Sequence, residues 1–155
     1  MQRKKVLIVM GSESDREVMN KTAEVLSNLG IGFEMVVSSA HRNPEKTRKL
    51  AKEAERKGIK VIIAGAGMAA HLPGVITAHT KLPVIGVPLS SLPFKGVDSF
   101  FSVLQMPAGV PVATMSVGNA GAKNAAILAA QILALSDDKI KIRLKRSKAQ
   151  KIKGK

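Results

Sequence analysis

The sequence predicts a single α/β domain built on a doubly wound, parallel, five-stranded sheet. Its 155 residues are 45% hydrophobic, which suits one core of ordinary domain size. Short apolar runs alternate with longer segments that begin and end in residues typical of helix termini. The apolar runs are nearly continuous and do not alternate with polar residues, as strands covered by helices on both faces require.

Five apolar segments are the predicted strands, and each is followed by polar or glycine-rich sequence. In chain order they are residues 6–10, 33–37, 61–64, 84–87 and 112–115. Right-handed crossover connections between consecutive parallel strands then produce a three-layer sandwich of the flavodoxin-like or Rossmann-like kind.

Helix-forming segments fill the spaces between these strands. Asp15 is expected to cap a helix that ends near Gly30, and Pro44 is expected to begin a helix closed by Gly58. A further helix is predicted over residues 97–104. The alanine-rich run 120–134 predicts another, whose small side chains permit close packing.

The basic charge of the chain is concentrated at its C-terminus. The net charge is +14, yet residues 139–155 hold nine lysines or arginines and no acid. Residues 1–138 carry the remaining 16 basic side chains and all 11 acidic ones. We therefore interpret residues 1–138 as the working domain and residues 139–155 as a basic tail. The tail is expected to be a helical extension that passes into disorder, because the apolar residues of segment 140–144 fit no packed helix face well.

Composition excludes several classes of function. The chain has no cysteine, so disulfides, thiolate metal sites and cysteine nucleophiles are absent. It has four phenylalanines and no tryptophan or tyrosine, so stacking platforms for nucleic acid are scarce and nucleic acid is not the expected partner. No apolar run reaches the roughly 18 residues of a membrane span, and the first is too short for a signal peptide. A soluble, cytoplasmic protein is expected.

The predicted fold indicates where a ligand would bind. In doubly wound sheets the crevice lies beyond the carboxyl ends of the strands, where the strand order reverses and helix N-termini present free N–H groups. The candidate loops are residues 11–15, 38–43, 65–74 and 88–96, and the first three contain nearly all of the suggestive polar residues.

The first loop combines a glycine with hydroxyl groups at a helix start. Gly11 permits close approach of a ligand, and Ser12 and Ser14 suit a phosphate or a ribose. An equally open alternative is that Ser14 or Asp15 only caps the following helix.

The second loop places an imidazole beside a guanidinium. Arg42 is permanently charged and suits bidentate binding of phosphate, and His41 can pass protons near neutral pH. The alternative is a solvated loop in which a serine or Asn43 caps the next helix.

The third loop is rich in glycine and alanine, so a flat ligand can approach its backbone. It lacks the lysine of a phosphate-binding P-loop, and no dinucleotide fingerprint follows the first strand. His71 is either functional or a structural histidine bonded to backbone carbonyls. His79 is interpreted as a surface or packing residue, and Phe100 and Phe101 as filling a core or a subunit interface.

Five segments in series resemble one family. MGSESD, SAHRNP, AGAGMAAHLPG, GVDSFFSVLQMPAGVPVAT and NAGAKNAAILAAQIL, within residues 6–135, resemble the 5-(carboxyamino)imidazole ribonucleotide mutases of purine synthesis. AHLPG resembles the branch that acts on the N-carboxylated ribonucleotide. The resemblance implies that a carboxylate moves from the exocyclic nitrogen to C4 of the imidazole, without metal or other cofactor. The alternatives are an aminoimidazole ribonucleotide carboxylase that uses free carbon dioxide and a non-catalytic flavodoxin-like nucleotide-binding module.

The resemblance also implies a set of site residues and an assembly. His41 would transfer protons with support from His71, and Ser39 and Arg42 would bind the phosphate. The other implied substrate contacts are Ser12, Ser14, Asp15, Ala40, Ala66, Gly67 and Leu72. Members of the family form octamers, so the alanine-rich helix and the QMPAGVP segment are expected at an interface. Met68 stands where the family usually has glycine and is expected to narrow the pocket.

Overall fold

The computed structural model describes residues 3–153, with side chains described as far as residue 149. Its five strands form one parallel sheet in the order β2-β1-β3-β4-β5. The strands are β1 (Lys4–Met10), β2 (Gly32–Val37), β3 (Val61–Gly67), β4 (Val84–Leu89) and β5 (Ala113–Thr114). The predicted fold class is confirmed.

Helices cover both faces of the sheet. They are α1 (Arg16–Asn28), α2 (Pro44–Ala54), α3 (Leu72–Thr77), α4 (Val97–Leu104), α5 (Asn119–Ala134) and α6 (Asp138–Lys153). Side chains of α1, α5 and α6 pack into the core on one face, and those of α2, α3 and α4 pack into the core on the other. Within residues 3–153, no helix is long and apolar enough to cross a membrane.

The interior strand β1 shows why the predicted strands are apolar at consecutive positions. Successive side chains of a strand point to opposite faces, so Ile8 and Met10 enter the core beneath α1 and α5 while Leu7 and Val9 enter the other. A β-carbon added to Gly65 of β3 would collide with the Met19 side chain, so this glycine lets α1 lie close to the sheet.

Two predicted strands differ from expectation. Strand β2 is half-buried along its whole length, because it lies at the sheet edge and pairs only with β1. The expectation that every strand is covered on both faces is therefore wrong for β2. Strand β5 is only two residues long, since the chain makes two pairs with β4 and then turns toward α5.

The helix starts follow the predicted residue types with one correction. A short 3₁₀ turn (Glu13–Asp15) precedes α1, and Ser12 caps that turn. Asp15 makes no side-chain cap bond to α1, so the predicted role as its cap is wrong. Its carboxylate instead accepts from the backbone N–H of Ser12 at 2.9 Å. Helix α2 begins at Pro44 as predicted.

The C-terminal helix packs more closely than its sequence pattern suggested. Ile140 is 2% exposed and Leu144 packs against the same core, whereas Ile142 is 50% exposed. Because residues four apart share a helix face, Ile140 and Leu144 form a short apolar stripe. The interpretation that this segment fits no packed face is therefore wrong for these two residues. Lys5 and Asp137 also form an ion pair at 2.6 Å just before α6.

Candidate active site

The strand order reverses at β1, which lies between β2 and β3. The chain leaves β1 toward one edge of the sheet and returns to form β3 on the other side, so the connections splay apart at this point. The backbone N–H of Gly11 donates to the carbonyl of Gly65 at 3.2 Å. The start of the loop after β1 is therefore bonded to β3 near its carboxyl end, at the place where the sequence predicted a ligand crevice.

The loop after β2 is held by its own polar residues. The backbone N–H of Arg42 donates to Ser39 Oγ at 3.2 Å, and that of Asn43 donates to the Ser39 carbonyl at 2.8 Å. Below them the buried hydroxyls of Ser38 and Thr47 are hydrogen-bonded at 2.9 Å. Ala40 is buried. The base of the loop is thus fixed while the side chains above it remain exposed.

Arg42 brings the second loop to the first. Its Nη2 donates to the carbonyl of Gly11 at 3.2 Å, although the two residues follow different strands. The guanidinium lies beside a turn whose backbone N–H groups begin a helix, and such a turn favours anions. The loops after β1 and β2 therefore meet at the carboxyl ends of their strands.

The first loop serves both as a helix cap and as a polar surface. Ser12 Oγ accepts from the backbone N–H of Ser14 at 3.4 Å, and the Ser14 hydroxyl donates to Ser12 Oγ at 2.9 Å. Burial raises the pKa of the Asp15 carboxyl, although backbone donors from Ser12 and Gly11 and the charge of Arg42 oppose the rise. Ser12, and neither Ser14 nor Asp15, caps the turn, and binding of a ligand by this loop stays a prediction.

Two imidazoles from different loops lie against each other. The ring centroids of His41 and His71 are 3.6 Å apart, and the ring planes are inclined by 33°. Burial lowers the pKa of His71, and the neighbouring His41 lowers it further. A hydrogen bond to the backbone of Ala69 acts in the opposite direction, so His71 also has the structural bond that the sequence left open.

The pKa of His71 provides a direct test of this pairing. In the folded protein His71 is expected to titrate below its ordinary value of 6.5. In the unfolded chain the proton binds at the ordinary pKa, so acidification below about 6.5 favours unfolding. In the His41→Asn variant the pKa of His71 should rise but stay below the ordinary value, because burial remains. Titration of the imidazole C–H resonances by NMR measures both changes.

The matched control for this titration is His79→Asn. His79 lies beyond the end of α3, outside the imidazole pair. Its replacement should leave the titration of His71 unchanged. An unchanged His71 pKa in His41→Asn would show that the two rings do not interact electrostatically.

The third loop presents backbone more than side chains. Ala66 and Leu72 are buried and apolar, and Gly67 has no side chain. Met68 has a φ of 55°, in the left-handed region that favours glycine, and its side chain is 63% exposed. This conformation agrees with the family's usual glycine at the position. Narrowing of the pocket by Met68 stays a prediction.

The phenylalanine pair lies outside this cluster. The rings of Phe100 and Phe101 form a T-shaped contact with centroids 5.5 Å apart. Phe101 is 53% exposed, so it does not fill the core of the single chain. Of the two roles that the sequence left open, an interface remains for Phe101.

A doubly wound sheet whose switch-point loops gather an arginine, a carboxylate and two imidazoles defines an α/β enzyme with acid–base groups at the strand ends. The chain belongs to the AIR carboxylase family, whose model matches residues 5–153.

Relatives named N5-carboxyaminoimidazole ribonucleotide mutase are more than half identical to this chain. The protein of Brucella melitensis is 54% identical over 139 residues, which cover 90% of this chain and 86% of that protein. The Escherichia coli protein is 53% identical and covers 90% and 83%, respectively. The crystal structure of PurE from Treponema denticola matches with a TM-score of 0.84 at 35% identity, covering 97% of this chain and 94% of that one.

Proposed function

We propose that this chain is a mutase of de novo purine biosynthesis that converts N5-carboxyaminoimidazole ribonucleotide to the isomer carboxylated at C4. The relatives over half identical across nine tenths of the chain support the reaction class. The contact between the His41 and His71 rings beside Arg42 is the structural observation that carries the proposal. This observation supports the proposal because it brings two titratable rings together in loops at the carboxyl end of the sheet, one of them adjacent in sequence to a guanidinium.

Binding of the ribonucleotide is assigned to the first two loops. Arg42 and Ser39 bind the phosphate, because a guanidinium can donate two parallel hydrogen bonds to phosphate oxygens. Ser12, Ser14 and Asp15 contact the ribose and the phosphate from the turn that Arg42 touches. The substrate would thus span the carboxyl ends of β1 and β2.

The backbone of the third loop and of Ala40 completes the proposed substrate contacts. Ala66, Gly67 and Leu72 would lie along the imidazole ring and the migrating carboxyl group. Small or buried side chains there let the ligand approach the main chain, which supports this assignment. A flat aromatic ring can lie directly against such a backbone, because no large side chain stands between them.

His41 is assigned both proton transfers. As the bond between the exocyclic nitrogen and the carboxyl carbon breaks, the bonding electrons stay on nitrogen and protonated His41 donates a proton to it. Carbon dioxide is then held beside the ring until C4 attacks it and forms the new carbon–carbon bond. Neutral His41 accepts the proton from C4, which restores the aromatic ring and regenerates the acid. The protons balance over one turnover.

His71 is assigned to support His41. A lowered pKa keeps His71 neutral while its neighbour carries a proton, so the two rings do not repel each other as two cations. The hydrogen bond to the Ala69 backbone holds the ring in place. This arrangement orients the His41 imidazole without requiring His71 to transfer a proton.

One assay distinguishes the mutase from both alternatives. The purified protein is supplied with the N-carboxylated ribonucleotide, or with aminoimidazole ribonucleotide plus bicarbonate, and formation of the C4-carboxylated product is measured. A mutase is expected to turn over the first mixture much faster at matched concentrations. Preference for the second mixture would identify a carboxylase that uses free carbon dioxide, and binding without turnover would identify a nucleotide-binding module.

Assembly and location are part of the proposal. We assign the chain to a homo-octamer in the cytoplasm, with residues 1–138 as the catalytic domain and the basic residues 139–155 as an extension. Exposed apolar side chains on α4, at Val97, Phe101 and Leu104, support contact between copies. Five alanines of α5, between Ala122 and Ala130, are instead buried in the core of the chain. The exposed Gln131 and Leu135, at the end of this helix, are proposed to contact a neighbour. Light scattering of the purified protein measures the assembly.

A further inference from the structure

Ser91 has a buried hydroxyl that the site described above does not use. It lies just after β4, in the connection to α4. Its Oγ is shielded from solvent and has no hydrogen-bond partner in the part of the chain that the structure describes. A buried polar group without a partner is unfavourable, and native proteins contain few of them. The hydroxyl therefore calls for a partner from outside the chain.

The position of Ser91 points to the substrate site. Leu89, at the end of β4, pairs in register with Gly67, at the end of β3. A β-carbon built on Gly67 would lie 3.4 Å from the Leu89 carbonyl oxygen and 3.7 Å from Ser91 Oγ. The hydroxyl thus lies against the strand end whose backbone is assigned to the imidazole and the carboxyl group.

The backbone around Ser91 is held in place. Its carbonyl accepts from the N–H of Lys95 at 2.8 Å, which closes the loop before α4. Gly96 follows Lys95 and has a φ of 92°. A β-carbon built on Gly96 would meet the Val117 side chain and the Ser90 backbone. Because the main chain is fixed on both sides, only rotation about the side-chain bonds is needed to aim the hydroxyl at a ligand.

We propose that Ser91 forms a subsite for the migrating carboxyl group and donates its hydroxyl hydrogen bond to a carboxylate oxygen. The inference rests on the proposed function, since the mutase substrate and product both carry this group. Arg42 is assigned to the phosphate, so the carboxyl group needs a different donor. A hydroxyl donating to a charged oxygen forms a stronger bond than one donating to a neutral acceptor.

Replacing Ser91 with alanine tests the subsite. The kcat/KM for the N-carboxylated ribonucleotide is expected to fall about 10- to 100-fold, the loss of one hydrogen bond to a charged group. Affinity for aminoimidazole ribonucleotide, which has no carboxylate, should stay within about two-fold, because the lost bond is made only to that group. The Tm should not decrease, because the removed oxygen has no hydrogen-bond partner among the described residues. Ser91→Cys keeps the side-chain volume with a weak donor and should show the same selective loss.

Ser90→Ala is the matched control, since Ser90 is the exposed neighbour on the same loop, and it should leave both nucleotides unaffected. An unchanged kcat/KM in both Ser91 variants, or an equal loss of affinity for the two nucleotides, would overturn the subsite. A lower Tm with normal kcat/KM would also overturn it, because the hydroxyl would then be structural. Failure of the proposed function would be seen separately, as a lack of mutase activity in the unmodified protein.

Discussion

Replacing His41 with asparagine is expected to lower kcat by about 10³-fold while nucleotide binding stays within a few-fold. Asparagine is polar and similar in size but cannot exchange a proton near neutral pH. Both proposed proton transfers therefore lose their proton carrier. Binding should persist, because the proposed contacts with the ribose and phosphate come mostly from Arg42 and the first-loop residues. Steady-state kinetics with the N-carboxylated ribonucleotide and equilibrium binding of the product measure the two effects separately.

Two further variants sharpen this experiment. His79→Asn makes the same chemical change outside the imidazole pair and should retain normal kcat. His71→Asn removes the neighbouring ring and should retain most of the activity, with a changed pH profile, because His71 is assigned to positioning. If His41→Asn works within about ten-fold of the normal rate, His41 is not the proton carrier, since general acid–base groups contribute more than this.

Replacing Arg42 with alanine is expected to raise KM by about 100-fold with a much smaller change in kcat. The phosphate of the nucleotide is remote from the bond that breaks, so the proposed contact with the guanidinium should contribute binding that is similar in the ground state and the transition state. Two charge-assisted hydrogen bonds to phosphate account for an effect of about this size. Initial rates over a wide range of substrate concentrations separate KM from kcat.

Arg48→Ala is the matched control for Arg42. Arg48 lies on α2, the helix that follows the loop, is also exposed, and pairs with Glu45 at 2.6 Å. Loss of that exposed ion pair should leave KM unchanged and alter stability by less than about 1 kcal/mol. Equal KM values for Arg42→Ala and the unmodified protein would place the phosphate elsewhere.

The alternation of apolar runs and helix punctuation predicted the architecture because it reflects local physics. Continuous burial of residues 6–10 in β1, 61–66 in β3 and 84–89 in β4 required apolar or small residues there, and Pro44 and Gly58 mark the two ends of the α2 region for backbone reasons. The pattern did not reveal that β2 is half-buried. Its residues are apolar enough for a central strand, and only the strand order places it at the edge.

The sequence pattern also failed to predict that part of α6 packs against the core. Ile140 and Leu144 cover only about one turn, too short a repeat to distinguish a packed face from chance. The surface that buries them comes from residues distant in the chain, in α1 and α5. The ion pair between Lys5 and Asp137 is likewise a contact between the two ends of the sequence.

Residue types in the sequence indicated most of the proposed site residues, but they did not indicate Ser91. His41, Arg42, Ser12 and Asp15 stood out because acid–base and anion-binding side chains followed predicted strands. Ser91 carried no such pattern, since a serine in a loop after a strand is ordinary. Its interest arises from a buried hydroxyl beside Gly67, which depends on the register of β3 with β4.

By itself, the sequence determined the α/β class, the number and order of strands along the chain, and the three loops that carry polar groups. These follow from periodicity, helix-terminal residues and the rule that crevices form at the carboxyl ends of parallel strands. Only the tertiary structure decided that His41 lies 3.6 Å from His71 and that Arg42 reaches Gly11. Those pairs are separated by about thirty residues, and their contact depends on which strands are neighbours and how far each loop extends.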